Sequence, residues 1–180
     1  MNDVTFGRFT VRVTCCHVVT YFVAGVLALT LLDYKTLFQS EGFSSLMLPT
    51  SSKWVAAGPA LQVVRGVVFA LALYPFRRVF LQEAGGWLKL WGLLVGLAIL
   101  STAGPAPGSI EGMIYTKIPV ACQLVGLPEV VLQTLAFSAL LVAWQRKPHR
   151  AWGIVMGLLV GIVILLSIAG CVLPRPAAFD

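Results

Sequence analysis

The sequence predicts an all-α protein of the polytopic transmembrane class, a bundle of five helices forming a single transmembrane domain over residues 1–180. Three observations predict it. The chain is 58% hydrophobic and only 11% charged, with a mean hydropathy of +0.90. A water-soluble domain carries about 25% charged residues, so polar groups are too few to coat a wet surface, and lipid must solvate most of the chain. Five apolar runs have, or nearly have, the roughly 20 residues that cross about 30 Å of hydrocarbon at 1.5 Å per residue. Basic residues, finally, gather at alternate ends of those runs.

The first run covers residues 13–32. Basic residues precede it, as in a signal peptide, but no small-x-small cleavage site follows, so it reads as a retained first helix. The second run covers 54–76 and the third 86–103. Between the third and fourth lies 104–124, a re-entrant or interfacial segment. Its opening stretch GPAPGSIEG places two prolines and three glycines in nine residues, which forbids helix and sets tight turns. The stretch either connects spans or forms a shaped lid that carries Glu111 and Tyr115 over a cavity. MIYTKIPVACQLV, residues 113–125, is apolar but too short to span, and Lys117 and Pro119 interrupt it. It lies at the interface, re-enters, or lengthens the fourth span. The fourth run covers 125–144 and the fifth 152–173.

Charge sets the orientation. One set of ends carries Arg8, Arg12, Arg77, Arg78, Arg146, Lys147 and Arg150; the opposite set carries Lys35, Lys53, Lys117 and Arg175. The excess of cations on the cytoplasmic side of membrane proteins puts the N-terminus in the cytoplasm and the C-terminus outside, with the plasma (inner) membrane as the expected location. Asp33, Glu41, Glu111, Glu129 and Asp180 then lie toward the outer face. The net charge of +6 implies no nucleic-acid partner, because its cations sit in short clusters between apolar runs.

GLLVG occurs twice, once with Gly92 and Gly96 and once with Gly157 and Gly161, the second preceded by Gly153. Glycines four apart leave a smooth stripe where another helix approaches closely; contact within the chain is the expected use, ahead of oligomer formation. The echo extends into WGLLVGLAILSTAG and MGLLVGIVILLSIAG. It is the pattern of a duplicated helical hairpin, spans two and three related to spans four and five by an axis along the membrane normal.

Arg65 stands near the middle of the second span. Such a position costs about 2.5–3.5 kcal/mol on insertion scales, so the guanidinium needs a partner. Gln62 and Phe69 share its helix face. The partner is Glu129 or Glu111 in a structural ion pair, with Gln133 completing the hydrogen bonds. Alternatively, Arg65 is the fixed charge of an anion-binding or proton-coupled site that opens outward.

The remaining inventory excludes more than it suggests. His17 reads as a helix-boundary residue and His149 as a solvated one; they form neither a metal site nor a haem pair, and no cofactor is expected. Cys122 and Cys171 both fall toward the outer face, as a candidate disulfide or as free thiols, while Cys15 and Cys16 lie at the reducing side. CxxC, GxSxG and HExxH are absent. The expected function is therefore that of a small, non-enzymatic integral membrane protein. An outward-facing polar pocket around Arg65, Gln62, Glu111 and Glu129 would bind an anionic or amphipathic ligand, or a partner's membrane helices. The alternatives are a scaffold docking through its glycine stripes, and a membrane enzyme acting on lipid with Glu111 or Glu129 as general acid/base. Membrane lipid, a membrane-protein partner or a second copy are the expected partners.

Overall fold

In lipid, a chain must satisfy its backbone groups internally, which leaves helix as the spanning form for apolar segments such as these. A computed structural model of the chain describes residues 4–40, 43–100 and 104–173. Glu41, Arg175, Asp180 and the end of the third predicted span lie outside the described residues. Helices are α1 (Phe6–Leu31), α2 (Tyr34–Gln39), α3 (Lys53–Leu73), α4 (Arg77–Leu81), α5 (Gly86–Leu100), α6 (Ile110–Tyr115), α7 (Val120–Val125), α8 (Leu127–Arg146) and α9 (Arg150–Val172). A 3₁₀ turn, Tyr74–Phe76, joins α3 to α4, and no strand occurs among the described residues.

Among the described residues, four helical stretches are long and apolar enough to cross a membrane: Phe6–Leu31, Lys53–Leu81, Val120–Arg146 and Arg150–Val172. Helix α5 is apolar but has 15 residues, about 22 Å of rise.

Three boundaries differ from those expected of the sequence. Helix α1 starts at Phe6 rather than at residue 13, because an apolar count stops at Arg12 whereas arginine is a good helix former. His17 consequently sits near the middle of a 26-residue helix, not at its boundary. Helix was expected to be forbidden over 104–112, yet α6 begins at Ile110, where the Ser109 hydroxyl accepts a bond from Gly112 N at 3.0 Å and caps the first turn. The fourth helical stretch begins at Val120 rather than at residue 125, since α7 leads through Gly126 into α8.

Helix α1 is the centre of the bundle. It packs against α3, α8 and α9; α3 also packs on α9, and α5 on α8. Phe9, Val13 and Cys16 of α1, Ala70 of α3, Leu90 of α5, and Phe137 and Leu141 of α8 are buried together. The closest helix crossing is at Gly66, where a Cβ would come within 2.7 Å of the Thr14 Cα. The glycines expected to pack inside the chain do not. A Cβ on Gly92, Gly96, Gly153, Gly157 or Gly161 would meet nothing within 4 Å, because those faces of α5 and α9 point away from the bundle.

The helix ends sort into two sets. At the basic end, Arg12 Nη1 donates to Gln145 Oε1, Arg146 Nη2 donates to Glu83 O at 3.0 Å, and Lys89 pairs with Glu83. At the other end, Tyr34 of α2 meets Glu129 of α8, and Cys171 Sγ of α9 lies 3.5 Å from Lys53 O of α3. Consecutive long helices therefore run antiparallel, whereas α1 and α9, which also pack together, run parallel.

Candidate functional site

The site starts from a turn. Asp33 holds φ 45°, the left-handed region, which a short polar side chain tolerates better than a bulky one. That turn folds α2 back over the end of the bundle and carries Tyr34 to α8. There the Tyr34 hydroxyl donates to Glu129 Oε2. Glu129 occupies the first turn of α8, directly after Pro128; proline suits the start of a helix and the helix dipole favours an acid there. Burial, the hydrogen bond to Glu129 and the nearby carboxylate together push the Tyr34 phenol above its usual range. The phenol therefore stays a neutral donor at ordinary pH.

Three cavities meet at Glu129. The largest, about 550 Å³, is a groove between α1 and α8 walled by side chains such as Val23, Leu27, Leu132 and Ala136, with Thr20, Glu129 and Gln133 among its polar members. A second, about 310 Å³, lies under α2 and reaches Tyr21, Tyr34, Cys122 and Gln123. The third, also about 310 Å³, opens between α1 and the start of α3, again past Tyr21 and Tyr34. Glu129 thus lines all three: the groove's surface is almost wholly hydrocarbon, and the two smaller chambers are more polar.

Gln123, 2% exposed, shapes the roof of the second chamber. Its Nε2 donates to Ile118 O at 2.9 Å, to Gly112 O at 3.3 Å and to Thr116 Oγ1 at 3.3 Å, while its Oε1 accepts from Gly108 N at 3.2 Å. Gly108 has φ 85°, a conformation glycine adopts without steric cost. One amide thereby ties the proline-rich stretch to α6 and α7.

Deeper in the bundle lies a second polar group. His17 Nε2 donates to Gln62 Oε1 at 3.1 Å, and Gln62 Nε2 donates to Gly58 O at 3.2 Å. Aromatic rings enclose the imidazole: Phe69 at 4.8 Å between centroids, Tyr21 and Phe137 each at 6.1 Å. A buried polar pair costs least when each member satisfies the other, and here the two helices do so across their crossing.

The residues predicted to share one pocket are therefore distributed over four places. Glu129 and Gln133 line the α1–α8 groove. Gln62 is buried against His17. Arg65 is exposed, its guanidinium 5.5 Å from the centroid of the Phe69 ring, and it pairs with neither Glu129 nor Glu111. The reason is depth: Arg65 lies over Phe69, whose ring meets Phe137 of α8, eight residues or about 12 Å of rise beyond Glu129, while Glu111 rides on α6. Glu111 and Tyr115 ride on α6, beside α5, with Tyr115 73% exposed.

All four cysteines are free thiols. The candidate Cys122–Cys171 disulfide is absent because Cys122 lines the chamber under α2, whereas Cys171 turns to the α3 end. Nor is His149 merely solvated: its Nδ1 accepts from Ala151 N at 3.1 Å and caps α9. Among the described residues, no group of three or more His, Cys, Asp or Glu side chains gathers as metal ligands would.

Sequence reasoning missed His17 and Tyr34. A signal for the first existed: Thr14, His17 and Tyr21 recur at three- and four-residue spacing, a polar stripe on an apolar helix. None existed for the second, since Tyr34 reaches Glu129 only through the turn at Asp33.

The fold and site define a class, an all-helical protein with several helices long and apolar enough to cross a membrane and a polar group at one end of its bundle. Comparison with known proteins takes it no further: no family model, curated protein or solved structure matches this chain.

Proposed function

We propose that the chain is a non-enzymatic membrane protein that holds an amphipathic molecule at the outer end of its bundle. The hydrocarbon tail lies in the α1–α8 groove and the polar head at Glu129, Gln133 and Tyr34. The observation that carries this reading is the position of Glu129, a residue shared by an almost wholly hydrocarbon groove of about 550 Å³ and two smaller, more polar chambers. Such sites bind by apolar area and orient the ligand with a few polar groups. An ionised carboxylate only accepts hydrogen bonds, so the head offers hydroxyl or ammonium donors. This favours an amphipathic over an anionic ligand, because Arg65 stands outside the pocket.

The same reading has five spans, the N-terminus in the cytoplasm, the C-terminus outside and the plasma (inner) membrane as location. Two observations support it. Helix α5 runs beside α8, with Ala98 in the same cavity as Leu127 at one end and Arg146 on Glu83 at the other. The cations at the ends of α1, α4 and α8 lie on one side.

Native mass spectrometry of the full-length chain, gently extracted, tests the ligand. Wild type is expected to carry a co-bound amphiphile. Leu132→Trp, which fills the groove, and Glu129→Leu, which removes the acceptor, are each expected to lose it at unchanged helix content. An unliganded wild type, or equal retention in both variants, would overturn the reading. The outward-facing glycines of α5 and α9 favour one second reading, a scaffold that docks other membrane helices there.

A further inference from the structure

We infer that the outer face of α3 around Arg65 is a docking surface for a membrane helix of another protein, one that carries a carboxylate within its apolar span. Arg65 is the thirteenth of the 21 residues in α3. Among the described residues it donates no hydrogen bond and joins no ion pair; its guanidinium lies over the ring of Phe69. An intramembrane cation in that state calls for an anion supplied from outside the chain.

The surroundings fit a helix rather than a small anion. Leu61, Val64, Val68 and Leu71 are each more than half exposed. Their spacing of three, four and three residues is that of a coiled-coil seam, with Leu61 and Val68 at one core position and Val64 and Leu71 at the other. Arg65 then takes the flanking position from which charged side chains pair across two helices. The seam lies on the face of α3 opposite Gly66, which meets α1, and Arg65 stands at the flank between that face and Phe69.

The anion is not a lipid headgroup. Arg77 and Arg78 mark the basic end, twelve and thirteen residues beyond Arg65, a rise of about 18–20 Å. The other end of α3 lies about 18 Å away, too far for one side chain in either direction. Nor is it supplied by a second copy. Among the described acids, Asp33 and Glu83 stand in connections, and Glu111 and Glu129 in the first turns of α6 and α8, none of them at the depth of Arg65.

The test uses the full chain in phosphatidylcholine vesicles. It is titrated with synthetic leucine-alanine spanning peptides bearing one central Glu or one central Gln. Association is read as energy transfer between a fluorophore on the chain and one on the peptide. The Glu peptide is expected to half-saturate at about tenfold lower mole fraction than the Gln peptide. Arg65→Leu is expected to erase that difference, and Arg65→Glu with a central-Lys peptide to restore it. Val68→Trp keeps the charge and obstructs the seam; it is expected to weaken both peptides. Equal binding of the Glu and Gln peptides to wild type would overturn the inference. So would loss of the Glu preference when phosphatidylglycerol replaces part of the phosphatidylcholine, since a headgroup would then be the natural anion. Should Arg65→Leu fail to fold, the charge-swapped pair and Val68→Trp decide the matter alone.

Discussion

Single residues divide into those that fix the packing and those that remain free for partners, and the glycines show the division best. Gly66 lies against the backbone of α1, so Gly66→Ala forces the α1–α3 crossing apart and is expected to lower stability by about 1–3 kcal/mol. Gly157→Ala adds a methyl to open space and is expected to be neutral within about 0.5 kcal/mol. Thermal unfolding of the two variants in one detergent checks both. If Gly157→Ala proved the more damaging, the stripe on α9 would be a contact surface in the preparation, in line with the scaffold reading. The same distinction explains Arg65. A charge inside an apolar run is visible in any hydropathy count, whereas the direction it faces depends on how α3 is rotated against α1. The paired GLLVG motif misled for the same reason: spacing defines a stripe, and only tertiary contacts say whether anything covers it.

At the scale of elements, the long helices were legible and the connections were not. Apolar length located all four long spans within a few residues, apart from the start of α1, because hydrocarbon thickness sets a minimum length. The segment between α5 and α8 depends instead on a side-chain clamp that local propensity does not encode. Proline and glycine count argues against helix in GPAPGSIEG, but the Ser109 cap and the bonds of Gln123 override it at its end. Gln123→Leu would orphan the Gly108 N–H and several carbonyls, at about 1–3 kcal/mol for each group left buried. It is expected to open residues 104–119 to limited proteolysis and amide exchange while α1 and α3 stay protected. Uniform loss of protection across the chain would show that the clamp is part of the global core. Tyr34 belongs to this level too. The contact with Glu129 exists because a two-residue turn aims α2, and no periodicity announces such a turn.

At the scale of the molecule, the contact pattern has a symmetry of its own. Helix α1 packs on both α3 and α8, while α3 packs on α9 and α5 on α8. Exchanging α3 with α8 and α5 with α9 reproduces these pairings, as an axis along the membrane normal through the echoing hairpins requires. The extra contact of α1 with α9 breaks the match. With α5 as a full crossing, the two termini lie on opposite sides; with four crossings they share one. Membrane-impermeant tags at residue 2 and residue 178 of the full chain in sealed vesicles are expected to be labelled from opposite sides. Labelling of both from one side would remove α5 from the set of spans.

Helix α1 also stands first in the order of synthesis among the described helices, yet the groups that satisfy it are made later. His17 meets its acceptor on Gln62, 45 residues downstream, and Arg12 meets Gln145, 133 residues downstream. A nascent chain that has delivered only α1 to the bilayer therefore holds an imidazole and a guanidinium without their companions. The imidazole finds its companion once α3 is made and the guanidinium only once α8 is, which ties completion of the fold to two side chains near the beginning of the protein.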